Sequence, residues 1–115
     1  MDTAIHVEAL SPTLWLVALE GEHDLGTVAG LTRSLDGVDR QCRLIVDLTA
    51  ASFIDSSVVQ ALLLHAGERA GGMALVAPPG SEPRRVLSLL HLEEPLGVCD
   101  DTAQATARLA AGRVA

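Results

Sequence analysis

The sequence predicts an α/β domain, a mixed and mainly parallel sheet of about five strands flanked by helices, in the order ββαβαβαβα. Three observations carry this. Short apolar runs that suit strands alternate along the chain with segments of helical period. Gly and Pro punctuate the boundaries between them. At 115 residues the chain has room for one core, so residues 1–115 form a single domain.

The elements follow in order. Ile5, Val7 and Ala9 alternate with His6 and Glu8, the pattern of a half-exposed strand. Ser11-Pro12 turns the chain into Leu14–Leu19, a continuous apolar run that suits a strand buried on both faces. The two strands make a hairpin and supply the antiparallel edge. Gly21-Glu22-His23-Asp24 is a polar corner, and Leu25, Val28, Ala29, Leu31 and Leu35 give a first helix ending near Gly37. Arg43–Leu48 is a buried strand rich in branched residues, followed by a polar loop. Val59, Leu62, Leu63 and Ala66 mark the inner face of a second helix, stopped at Gly71-Gly72. Met73–Ala77 is a strand closed by Pro78-Pro79-Gly80. Ser81 or Glu82 caps a third helix, with Pro83 in its first turn and Val86, Leu87, Leu89 and Leu90 along it. Leu96–Cys99 is a last short strand, and Asp101 or Thr102 caps a final helix through Leu109.

Composition narrows the function. Nearly half the residues are hydrophobic (49%), but Trp15 and Phe53 are the only aromatics, so an aromatic-lined ligand pocket or a base-stacking platform is not expected. The net charge is −7, there is no lysine, and the eight arginines are scattered apart from Arg84-Arg85. Binding to nucleic acid or to an anionic membrane surface needs a clustered basic face, and neither is expected. The N-terminus has no basic-then-apolar leader, and the run Leu14–Leu19 is too short to insert in a membrane. Cys42 and Cys99 form no Cys-x-x-Cys and read as free thiols of a cytoplasmic protein.

In sheets of this kind, chemistry collects where strands end and helices begin, because helix N-termini offer unpaired N–H groups. One such corner stands out, Thr49-Ala50-Ala51-Ser52-Phe53-Ile54-Asp55-Ser56-Ser57. Asp55 and Ser56 immediately precede the second helix's apolar repeat. A capping role alone accounts for residues of these types, worth roughly 1 kcal/mol through a bond to the first-turn amides.

Residues 44–64 (LIVDLTAASFIDSSVVQALLL) resemble the signature of the STAS domain family, which includes the bacterial anti-sigma factor antagonists. The pattern is an apolar strand, Asp47-Leu48, a short loop, the apolar pair Phe53-Ile54, and Asp55-Ser56-Ser57 opening a helix. The family's Gly-Glu-x-Asp stands here as Gly21-Glu22-His23-Asp24, and the element plan matches over essentially the whole chain. The resemblance implies a single-domain antagonist that binds an anti-sigma factor with serine kinase activity while unphosphorylated. The kinase phosphorylates the Ser after the Asp, here Ser56 with Ser57 as second candidate, and a serine phosphatase resets the switch. A role in sigma-factor-dependent transcription follows, with no catalytic residue, metal or cofactor in this chain. The same family also serves as subunits of lipid-transport ABC systems, as cytoplasmic tails of anion transporters and in stress-sensing assemblies. The lipid-transport subunit, a constitutive contact module, is the alternative. Because the chain carries no membrane segment, the transporter-tail reading is the weaker one.

This chain departs from the family pattern at three places. Val58-Val59 stand where Gly-Leu is usual, His91-Leu92 replace a Gly-Leu near the third helix's end, and His23 fills a slot that is often apolar. A bulkier helix start with an exposed side chain at Val58 is expected.

Other chemistries fit poorly. A phospho-receiver needs a Lys, and there is none. Ser56 with His65 or His91 and Asp24 lacks a Gly-x-Ser-x-Gly elbow, and His65 lies two to three turns along the helix from Ser56. His6, His23, His65 and His91 are too dispersed for a metal centre. With Val59, Leu62, Leu63 and Ala66 turned inward, the second helix presents Val58, Ala61, His65 and Glu68. These residues, with Glu22, Asp24, Asp55, Ser56 and Ser57, outline the expected partner-binding face, apolar in the middle and acidic at the rim.

Overall fold

The computed structural model describes residues 3–111. Its elements are β1 (Ala4–Ser11), β2 (Leu14–His23), α1 (Val28–Asp36), β3 (Arg43–Asp47), β4 (Ala51–Ile54), α2 (Ser56–Glu68), β5 (Met73–Val76), α3 (Glu82–Leu89), β6 (Val98–Cys99) and α4 (Thr102–Ala111). The α/β plan is as expected, with one strand more. What the sequence presents as a polar loop after β3 contains β4, which makes six strands among the described residues.

The sheet runs β1-β2-β3-β5-β6, with β1 antiparallel to β2 and the remaining neighbours parallel. β2 is long enough to serve two partners. Leu14–Ala18 pair with β3, and Gly21–His23 pair in parallel with β4, with a register shift between Gly21 and Glu22. This second pairing turns the polar corner and the start of α2 into neighbours.

The continuous apolar runs have two destinations. In β3, Leu44 and Val46 enter a core shared with α1, α2 and α3, whereas Ile45 points to the opposite face against Ala105 and Leu109 of α4. In β5, Leu75 and the following Ala77 join the first core, while Ala74 and Val76 join the second. Strand side chains alternate between faces, so a run with no polar interruption is what helices on both faces require. Each fully buried Leu, Ile or Val contributes about 1.5–3 kcal/mol. β1 lies outside this double cover: Ile5 packs against the first core, but Val7 and Ala9 are exposed, contrary to the inward alternation expected of all three.

Helix boundaries follow local bonding. Asp24 accepts the N–H groups of Thr27 and Val28 through its carbonyl and that of Gly26 through Oδ1. Residues 24–27 therefore form a turn, α1 begins at Val28 rather than Leu25, and Leu25 is 74% exposed instead of packed. On α3, Leu87 is buried but Leu89 and Leu90 are exposed. Gly71 stands three residues beyond the end of α2, and its role is close approach: a Cβ there would fall 2.2 Å from the Cys42 carbonyl oxygen. The bond from the Gly71 N–H to the Arg40 carbonyl, at 3.0 Å, holds this crossing together. Cys42 and Cys99 are free thiols, and burial raises the Cys99 thiol above its ordinary value.

Candidate functional site

Asp55 is the hinge of the site. It is the N-cap of α2, in extended conformation, and its Oδ1 accepts the N–H groups of Ser57 at 3.0 Å and Val58 at 3.1 Å. The same oxygen accepts the Ser57 hydroxyl at 2.6 Å. Its other oxygen, Oδ2, accepts the Leu25 N–H at 3.1 Å, and the Asp55 N–H donates to the His23 carbonyl at 3.2 Å. The polar corner at 21–25 and the start of α2 are thus bonded in both directions. The Ser57 hydroxyl, then the backbone N–H groups of Val58, Leu25 and Ser57, hold the Asp55 carboxyl below its ordinary range, against the opposing effect of burial.

Ser56 and Ser57, adjacent in sequence, stand in different circumstances. Ser57 is partly buried with its hydroxyl committed to Asp55. Ser56, the first residue of α2, is exposed, and its hydroxyl makes no side-chain hydrogen bond among the described residues. Glu22, opposite Phe53 in the β2–β4 pairing, and Asp24, next to the Leu25 whose N–H Asp55 accepts, belong to the same corner and are both exposed. Neither stretch of the corner, 20–27 or 50–60, contains an Arg or Lys.

His23 is wholly buried. Its Nε2 lies 2.9 Å from the Glu20 carbonyl and its Nδ1 3.2 Å from Thr27 Oγ1. A carbonyl can only accept, so Nε2 carries the proton. His23 therefore braces the corner from beneath, doing with two hydrogen bonds what an apolar residue would do by packing.

The structure corrects the expected face of α2. Val58 is 0% exposed, and His65 is buried with its ring 3.7 Å from Asp36 Oδ1. Neither can belong to a docking surface, and Ala61 is only partly accessible. The inner face is Val58, Val59, Leu62 and His65, continued by Arg69 just past the helix. Arg69 is buried and donates to the carbonyls of Leu35, Val38 and Asp39, at the C-terminal end of α1 and just past it. The outward stripe is Ser56, Gln60, Leu63, Leu64 and Gly67, with Leu64 61% exposed, and Phe53 and Leu25 are exposed beside it. Leu63 was expected to turn inward and does not. Periodicity could not find this stripe, because α2 is apolar nearly all round and two faces fit its spacing.

The STAS domain family model matches residues 6–105, which include every element of the corner. The chain belongs to the STAS domain family. Solved STAS relatives have the same fold: an anti-sigma factor antagonist from Mycobacterium paratuberculosis matches at TM-score 0.82 with 22% identity, over 95% of each chain. The Bacillus cell fate determinant SpoIIAA in its phosphorylated form matches at TM-score 0.63 with 23% identity, over 97% of this chain and all of that one. A sulfate transporter family protein from Wolinella succinogenes matches at TM-score 0.67 with 19% identity, over 90% of each chain. No curated protein matches in sequence. At these identities the likeness is one of fold. Within this STAS domain, no helix of the described residues is long and apolar enough to cross a membrane.

Proposed function

We propose that this STAS domain is an anti-sigma factor antagonist whose docking to a serine-kinase anti-sigma factor is switched off by phosphorylation of Ser56. The observation that carries the reading is the division of labour between the two serines. Ser57 is occupied by Asp55, while Ser56 presents an unengaged, exposed hydroxyl at the start of α2. The structural likeness to an anti-sigma factor antagonist from Mycobacterium paratuberculosis and to SpoIIAA, an anti-sigma factor antagonist also solved in its phosphorylated form, supports the same reading.

The chain is the substrate in this scheme, not the enzyme. The kinase partner supplies nucleotide and base, and a serine phosphatase removes the phosphate. A phosphate adds a charge of roughly −1.5 to −2. The N–H groups of Ser57 and Val58 are already taken by Asp55, and the acids Glu22 and Asp24 of the same corner are exposed. The added charge therefore meets like charges at the docking surface, offset only in part by the helix N-terminus. Desolvating it on association at a cost of about 2–3 kcal/mol weakens binding roughly 30- to 150-fold. The outward stripe of Gln60, Leu63 and Leu64, with Leu25 and Phe53, supplies the apolar middle of that surface.

The test is to incubate the protein with a candidate kinase and ATP, map the phosphate, and compare partner binding of Ser56→Ala and Ser56→Glu. Phosphate on Ser57 or nowhere, or a Glu variant that binds like the wild type, defeats the proposal. The likeness to a sulfate transporter family protein favours a second reading, a STAS domain that serves a transporter as a constitutive contact module; a lipid-transport ABC subunit would be a module of the same constitutive kind. Under that reading, partner binding is indifferent to Ser56→Glu, and a transporter is encoded with or beside this domain.

A further inference from the structure

Among the described residues β1 is a free edge of the sheet: Ala4–Ser11 pair with β2 along one side only. Natural edges are blunted by charges (above all Lys), Pro, β-bulges, shortness or cover, because their unpaired N–H and C=O groups invite another strand. This edge is eight residues long and contains neither Lys nor Pro; its pairing with β2 is irregular only between Ala9 and Ser11, so Ala4–Ala9 is a regular stretch, in which Val7 is 46% exposed and Glu8 is the one formal charge. α4 packs over β3, β5 and β6, away from it, and α1, which does touch β1, does so against Ile5 on one face of the strand.

We infer that β1 pairs with β1 of a second copy of this chain, antiparallel about a two-fold axis at Val7, joining two sheets into one. The strand's own sequence selects both occupant and register. A two-fold axis perpendicular to the sheet keeps every residue on its own face, so opposed positions share parity. With the axis at Val7, His6 stands opposite the second copy's Glu8, and Glu8 opposite the second copy's His6. Ile5 then faces Ala9, and Val7 faces its own counterpart. Moving the axis by one residue sets Glu8 against Glu8 or His6 against His6, and like groups directly opposed destabilise a sheet. Only the Val7 register pairs acid with imidazole twice. It also gives the exposed Val7 an apolar neighbour across the joint. His6 already stands 3.3 Å from Glu20 through Nε2, and its ring has a second nitrogen to offer the incoming carboxylate. α2 takes no part, so the inference stands or falls independently of the role proposed for Ser56.

The test is sedimentation of the whole protein over a wide concentration range, beside Val7→Lys and a Val7→Cys, Cys42→Ser double variant. A dimer is expected for the wild type. Val7→Lys brings two ammonium groups together at the axis and should lose the dimer at every concentration where the wild type forms it, with an unchanged circular dichroism spectrum. Under mild oxidation the double variant should form a disulfide-linked dimer through position 7. A monomeric wild type, or a dimer indifferent to Val7→Lys, overturns the inference. If Val7→Lys unfolds the chain, the cross-link decides, and its absence is equally fatal.

Discussion

Asp55 accepts the backbone N–H of Leu25, 30 residues away in sequence, at 3.1 Å through Oδ2, while Oδ1 caps α2. One carboxylate therefore joins two corners, and its ionisation matters to stability. Asp55→Ala should destabilise the fold by about 2 kcal/mol, since a lost cap costs about 1 and the Leu25 and Ser57 bonds are lost with it. In the folded protein this carboxyl titrates below its ordinary value, to which it returns on unfolding. Its contribution is complete above about pH 4 and disappears as the pH falls through the lower folded value. Urea unfolding from neutral pH to pH 3 should show the gap between wild type and Asp55→Asn narrowing in acid. A constant gap contradicts the assignment.

Ser57 has a structural task. Ser57→Ala removes the 2.6 Å bond to Asp55 and should cost about 1 kcal/mol in chemical denaturation. It should leave phosphate incorporation at Ser56 intact. The two serines are thus separable by measuring stability and labelling on the same pair of variants.

Arg69 donates to the carbonyls of Leu35, Val38 and Asp39, of which Leu35 and Asp39 also accept the backbone N–H groups of Val38 and Cys42. Arg69→Ala leaves all three without this donor and opens a cavity, which should cost about 3 kcal/mol or more. Arg69→Met refills the space but restores no donor. If the hydrogen bonds dominate, Met recovers only a small part of the loss in urea midpoint. Full recovery would assign the role to packing.

His91 carries a left-handed backbone, φ 56°, just after α3. That conformation crowds a Cβ and suits Gly, which gives a physical reason for the glycine usual in STAS domains at this point. His91→Gly should therefore raise stability by about 1 kcal/mol, read as an increase in denaturation midpoint, despite the greater freedom Gly gives the unfolded chain.

The strands and helices with a single dominant period were legible in the sequence. β3 and β5 were readable because runs such as Leu44-Ile45-Val46 have only one use in a chain this short, burial on two faces. β4 was not, because four residues with Ser52 exposed in their midst have no pattern of their own and are defined by pairing with Gly21–His23, far away in sequence. The face of α2 was misread for a different reason. Its inner row runs through Val58, Leu62, His65 and Arg69, and the polar members look like surface residues until α1 supplies partners for them. Of the corner, Asp55 was identifiable as a helix cap by residue type and position, and Ser56 was singled out by the family resemblance. Leu25, Gln60, Leu63 and Leu64 became candidates only once the fold had set their exposure.

The pairing of β2 with β4 has a consequence for how this chain can be inspected. Gly21–His23 and Ala51–Ile54 meet only in the folded sheet, so the acidic corner beside Ser56 does not exist in an extended chain. A protein that reads that corner reads, in the same act, whether the copy before it has folded. Unfolded copies do not compete for it; they are silent. Any variant that lowers the folded fraction should lower the signal in proportion, even when Ser56 itself is untouched.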